Sequence, residues 1–219
     1  VGDIGFGVFE EFAEKYQEDY LNIGICEANM IGVSSGMAMN GFVPLVYTIV
    51  PFLTMRCYEQ IRVDLAMHNQ KVILIGVGGG LAYGSLGPTH HSFEDIVLMS
   101  MLPNFQVFAP SQPNEGKACL DLALSHDGPS YIRLGKNGEP DLSQHLLSEQ
   151  GGTKIYCNEP NTCDLLLFTY GPIALECIKA ANILAISGLK ISVCSILQVK
   201  PLPDNAIQIC SNQNHIIAI

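Results

Sequence analysis

The chain has 219 residues, of which 48% are hydrophobic and 15% charged, a balance that points to a compact α/β protein and away from disorder or a coiled coil. A net charge of −10 with no Lys/Arg cluster excludes a nucleic-acid binder. The longest apolar stretch, 42–53, is broken by Pro44 and Pro51 and is too short to cross a bilayer.

In chain order, Val8, Phe9, Phe12 and Tyr16 recur at helical spacing and predict an amphipathic helix over 8–20, followed by a short apolar strand over 21–26. Residues 27–39, rich in Ala, Gly and Ser, suit a helix packed closely against a neighbour. A strand over 42–49 comes next, then a helix with Leu53, Cys57, Ile61 and Leu65 at steps of four. The continuous apolar run 71–77 reads as a strand covered on both faces. Further strands are expected at 105–109 and 131–134, with a helix over 114–125 between them. The polar, Gly-, Pro- and Asn-containing stretch 136–163 has no periodicity and reads as a linker. After it, strands at 164–169 and 190–197 alternate with helices at 172–187 and 204–211, and a strand-like run closes the chain at 215–219. Strands alternating with helices imply a doubly wound, mostly parallel sheet, with a second, smaller α/β unit behind the linker. A parallel strand normally runs on into a covering helix, so residues beyond Ile219 are expected.

Several stretches could carry chemistry. Glu27 stands between the apolar run and the small-residue helix, where it either complements the helix dipole or serves as a buried acid. Gly32-Val-Ser-Ser-Gly36 has the G-x-S-x-G spacing of a hydrolase elbow, but Ser34 falls inside the predicted helix instead of on a strand-to-helix turn. The run from Gly76 to Gly84 follows a strand, yet Leu81 stands where the last glycine of G-x-G-x-x-G belongs and no G-K-[S/T] follows. His90 and His91 precede a helix start at Glu94 and Asp95. They lack a third ligand at zinc spacing, so contact with a substrate is the better functional reading. Eight cysteines without a C-x-x-C pair read as the reduced, buried thiols of a cytoplasmic protein.

Three segments taken together, in order and spacing, resemble the transketolase family and its relatives deoxyxylulose-phosphate synthase and the β subunits of 2-oxo acid dehydrogenases. They are GICEANM at 24–30, TIVPFLTMRCYEQIR at 48–62, and GSLGPTH at 84–90 continuing to Leu102-Pro-Asn104. The resemblance covers residues 1–135 as a pyrimidine-binding domain. It extends to 164–219 as the start of that family's C-terminal domain, through the stretch Leu197 to Pro203.

The resemblance implies thiamine diphosphate as cofactor. Glu27 would bond N1′ of its aminopyrimidine and thereby favour the imino tautomer that removes the thiazolium proton. Phe52 would stack on the pyrimidine, with Ile49 and Arg56 beside it, and His90, with His91 as a second candidate, would line the substrate channel. Leu86 replaces the acidic residue that transketolases carry before Gly-Pro-Thr-His, and Ile49 stands where Phe is frequent. The family's diphosphate and metal motif, G-D-G followed by Asn, is not found, so Mg²⁺ and its ligands are expected on a partner chain, a diphosphate-binding subunit of the N-terminal type. The function implied is transfer of a two-carbon ketol unit between sugars, by a split enzyme that forms a homodimer through the pyrimidine domain. Two alternatives stand beside it: a β-type component of a 2-oxo acid decarboxylating enzyme, and a non-catalytic structural subunit.

Overall fold

A computed structural model describes residues 1–136 and 138–219. The chain divides into two compact units, one of residues 1–106 and 123–136, the other of residues 107–122 and 137–219.

The first unit holds α1 (Glu10–Lys15), α2 (Glu27–Met39), β1 (Leu45–Ile49), α3 (Val50–Thr54), α4 (Tyr58–Gln60), β2 (Ile73–Val77), α5 (Asp95–Met101) and β4 (Ser130–Arg133). Strands β1, β2 and β4 run parallel, with Leu45 opposite Ile73 and Leu74 opposite Tyr131. Ile73 and Leu74 are fully buried, as a strand covered on both faces requires. The helix expected around Leu53, Cys57, Ile61 and Leu65 is broken into α3, α4 and a π-helical turn over Ile61–Met67, although all four side chains are buried as the four-residue spacing predicts. Helix α2 packs on that π-helical turn, with Ser35 Oγ donating to Asp64 O at 3.0 Å. Helix α2 also contacts β1, α3 and α4, while Gly32 and Gly36 meet nothing of this chain within 4 Å of a Cβ position.

Two N-terminal expectations fail. The helix over 8–20 shrinks to α1, and residues 21–26 form no strand. Asn22 Oδ1 accepts from the amides of Asp3 and Gly24, at 3.1 and 3.0 Å, and Gly24 takes φ +75°, which bends the run out of extended conformation.

The second unit contains residues 107–108 of β3 (Gln106–Phe108), most of α6 (Glu115–Ser125), β5 (Leu146–Gln150), β6 (Thr153–Tyr156), β7 (Leu165–Tyr170), α7 (Ala174–Ala185), β8 (Ile191–Ile196), β9 (Gln198–Lys200), α8 (Asp204–Ser211) and β10 (Ile216–Ala218). Its five-stranded sheet has the order β10-β7-β8-β6-β5, with β10, β7 and β8 parallel and β6 and β5 antiparallel. Helix α7 buries Ala174, Cys177, Ile178 and Ala181, an i, i+3, i+4, i+7 stripe, against Tyr156, Leu167 and Val193.

The stretch 136–163 differs from the expected linker: it carries the β5–β6 hairpin, whose inner strand pairs Thr153 with Ile196. The inner strand is polar in sequence because its buried Lys154 has a dedicated partner, Glu115 Oε1 at 2.7 Å. Glu115 Oε2 in turn accepts from the Ser111 amide. Among the described residues no helix is long and apolar enough to cross a membrane.

Candidate active site

Glu27 is the first residue of α2 and is 3% exposed. Its Oε2 accepts from Arg56 Nη1 at 2.8 Å, while the arginine stays about half exposed, at 48%. Gly2 lies against the same carboxylate arm, because a Cβ there would come within 3.5 Å of Glu27 Cγ and 3.2 Å of Thr48 Oγ1.

The turn from β1 into α3 positions the aromatic. Ile49 is extended, and Pro51 in the first turn of α3 supplies a ready-made helical φ, so Phe52 is delivered one residue later at the carboxyl end of β1. The guanidinium carbon of Arg56 sits 4.3 Å above the Phe52 ring centre. The His90 ring meets Phe52 edge-on, with centroids 5.1 Å apart and planes at 68°. Arg56 therefore touches both the acid and the ring, and Glu27, Arg56, Phe52 and His90 form one chain of contacts.

Beneath this cluster, Cys57 Sγ donates to Phe52 O at 3.2 Å. Burial, reinforced by the negative charge of Glu27 and opposed by Arg56, pushes the Cys57 thiol up to about 12. It remains a neutral packing group there.

His90 closes a short 3₁₀ turn, Pro88–His90, and its Nδ1 lies 3.0 Å from Thr89 Oγ1. His91 points elsewhere: its Nε2 is 3.1 Å from Gly84 O, so the loop backbone engages it. Three neighbours were not singled out by the sequence patterns, although Thr89 stands within the GSLGPTH segment. Tyr83 faces His90 at 6.2 Å, Lys136 lies 5.2 Å over the Tyr83 ring, and Thr89 orients His90. The glycines are the available clue to Tyr83, since a Cβ on Gly78 would collide with its ring.

The serine of the elbow-like motif is not on a turn. Ser34 is buried in mid-α2 and donates to Met30 O at 2.8 Å, a bond internal to the helix. Among the described residues no group of three or more His, Cys, Asp or Glu could hold a metal ion. Of the cysteines, Cys57, Cys119, Cys177 and Cys194 are buried, Cys26 is exposed and the others are intermediate.

Residues 2–139 match the family described as the transketolase pyrimidine-binding domain. The chain belongs to that family. This transketolase-family chain is 32% identical over 203 residues to a subunit of an apulose-4-phosphate transketolase from Actinobacillus succinogenes, covering 90% of the chain and 62% of that relative. It is 28% identical over 207 residues to a subunit of a 6-deoxy-6-sulfo-D-fructose transketolase from a Clostridium species, covering 90% of the chain and 61% of the relative. The chain thus spans less than two thirds of the length of these curated relatives. Among solved structures it is similar to a split gene transketolase described as an inactive beta4 tetramer, with a TM-score of 0.80 at 27% identity over 95% of this chain and 67% of that one. The α/β architecture of the transketolase pyrimidine domain therefore holds for this chain.

Proposed function

We propose that the chain is the pyrimidine-binding subunit of a thiamine-diphosphate-dependent, transketolase-like transferase that moves a two-carbon ketol unit between sugars. The observation that carries this reading is the convergence of Glu27, Phe52 and His90 on one contact chain. A buried carboxylate, an aromatic face and an imidazole at the carboxyl end of parallel strands are the groups an aminopyrimidine and its substrate would need.

The residues fit the cofactor's ring. Glu27 Oε1 takes no hydrogen bond from the described residues, which leaves one carboxylate oxygen to meet N1′ while Oε2 stays with Arg56. Phe52 is the ring offered for stacking, with Ile49 on its flank and Arg56 lying over one of its faces. Bound thiamine diphosphate supplies the nucleophilic carbon that carries the two-carbon unit. In that reaction Glu27 would hold the proton at N1′ and His90 would orient a hydroxyl or carbonyl of the sugar, while His91, held to the Gly84 carbonyl, would serve the loop. The proposal takes residues 1–135 as the pyrimidine unit and 164–219, with the 146–156 hairpin on the edge of their sheet, as the opening of the family's C-terminal domain.

Partner dependence belongs to the same proposal. Mg²⁺ requires a set of oxygen ligands, so the diphosphate and its metal are assigned to an N-terminal-type subunit, with two such pairs joined through the pyrimidine units of a homodimer. The named relatives, subunits of transketolases acting on apulose 4-phosphate and on a sulfonated sugar, support a specialised sugar over the common ketoses, in keeping with Leu86.

The test mixes the chain with its diphosphate-binding partner and follows thiamine-diphosphate-dependent ketol transfer in wild type and Glu27→Gln. Transfer lost in the variant supports the reading. Decarboxylation of a 2-oxo acid without ketol transfer would move the chain to the dehydrogenase relatives, and full activity in the variant would remove Glu27 from the chemistry.

A further inference from the structure

We infer that Asp95 is a positioning residue for the site, setting the place of the loop that presents His90 to Phe52. The loop leaves β2 at Gly78 and returns at Ser92, and none of residues 81–91 is buried. Apolar burial therefore contributes little, and beside the His90–Phe52 ring contact its position rests on its two legs.

The outgoing leg is tied to the chain just after β4, where the Gly78 amide donates to Leu134 O and Gly135 O at 3.1 and 3.0 Å and the Gly79 amide donates to Leu134 O at 3.0 Å. The neck closes with a reciprocal pair, Gly80 N to Ser92 O at 2.9 Å and Ser92 N to Gly80 O at 3.0 Å. The returning leg rests on Asp95. This carboxylate is fully buried and accepts three side-chain bonds: Ser92 Oγ at 2.7 Å on Oδ1, and Tyr131 Oη at 2.8 Å and Arg133 Nε at 2.9 Å on Oδ2.

Arg133, itself only 14% exposed, then reaches both legs. Its Nη2 donates to Ser92 O at 3.3 Å, and its side chain runs close against Gly79, where a Cβ would approach Cζ and Nε to 2.7 Å. Removing the partner of a buried ion pair leaves an uncompensated charge, which favours rearrangement of the side chain that carries it. Asp95 supplies the counter-charge to Arg133, and through Arg133 and Ser92 it fixes the neck from which His90 is carried two residues before Ser92. Glu27, Phe52 and Arg56 lie outside this loop, on α2, α3 and the turn after α3 respectively. Loss of Asp95 should therefore displace His90 and spare the Glu27–Arg56 pair.

The test has two arms, and only the second rests on the function proposed above. In the first, hydrogen exchange and ring-proton NMR on the 219-residue chain compare wild type with Asp95→Asn and with Ser92→Ala. The second variant removes a single hydroxyl and keeps the inference testable should Asp95→Asn fail to fold. Exchange at the Gly80 and Ser92 amides should accelerate about tenfold or more, and the His90–Phe52 ring contact should vanish, with the Leu74 and Ile132 amides unchanged. A folded variant in which the neck and the ring contact persist would overturn the inference. In the second arm, with the partner subunit, KM for the sugar should rise about tenfold while cofactor affinity holds. An equal loss of cofactor affinity would make Asp95 a general structural residue and overturn its positioning role. Absence of ketol transfer in the wild type would count against the proposed function, and the NMR arm would still decide the role of Asp95.

Discussion

Replacing Glu27 by Gln separates chemistry from folding, because the structure sets two very different magnitudes for it. The amide can turn its oxygen to Arg56 Nη1 and keep the 2.8 Å hydrogen bond, so only the ionic part of the pair is lost. Unit charges about 4 Å apart attract by about 4 kcal/mol at an effective dielectric of 20 and about 1 kcal/mol in water. Arg56 is 48% exposed, which pulls this pair toward the watery limit, and measured pairs of that kind contribute about 0.2–1 kcal/mol. Stability should therefore fall by less than about 1 kcal/mol, a melting shift of no more than about 2–4 °C for a chain of this size. Turnover should fall by about 10²–10⁴, the range supplied by a positioned proton donor. Urea titration of the chain and ketol-transfer kinetics with the proposed partner subunit measure the two numbers. Retention of more than a tenth of wild-type turnover would refute the role given to Glu27. A stability loss of several kcal/mol would refute the view that its ion pair is solvent-screened.

Three further outcomes are expected. Burial pushes the thiols of Cys57, Cys119 and Cys194 up from the ordinary value of 9.0 to about 12. Below pH 9 both folded and unfolded states keep these protons. Between 9 and 12 only the folded state does, so stability is full below 9 and falls as pH rises toward 12. Urea midpoints measured from about pH 8 to 11 should follow that course, with a shallower slope in Cys119→Ala. Lys154→Met strands the buried Glu115 and should cost about 3–5 kcal/mol by denaturant titration, most of it recovered when Glu115→Leu is added. Phe52→Leu should weaken cofactor binding by about two- to twelvefold in calorimetry of the assembled enzyme, the ring-contact increment alone.

The parts of the fold readable in the sequence are those where periodicity and burial coincide. The apolar runs of β2, β7 and β8 and the helix α8 over Asp204–Ser211 lie within a residue or two of expectation. The β5–β6 hairpin was not readable. Strand β5 is exposed over most of its length and shows no alternation, while β6 buries Thr153 and Lys154, polar residues whose partners, Asn205 and Glu115, lie far along the chain. The false strand at 21–26 has the opposite cause, since its apolar residues are real and one asparagine side chain with one left-handed glycine redirects the backbone. For the candidate site, the order of three segments that resemble one family singled out Glu27, Phe52 and His90 as the residues to propose. The contacts that unite them were not legible, because Arg56 bridges an acid and a ring from different elements. Asp95 looks like an ordinary first-turn residue until its three donors are located.

Arg56 also bears on how quickly an assembled enzyme would start. Arg56 is tied to Glu27 and Phe52 but keeps half its surface in water, and side chains so exposed change rotamer in picoseconds to nanoseconds, so clearing the aromatic face would be fast on the scale of turnover. If the chain works with a second polypeptide as proposed, any lag of seconds between mixing the two and reaching full rate would report their docking, and its length would shorten as protein concentration is raised.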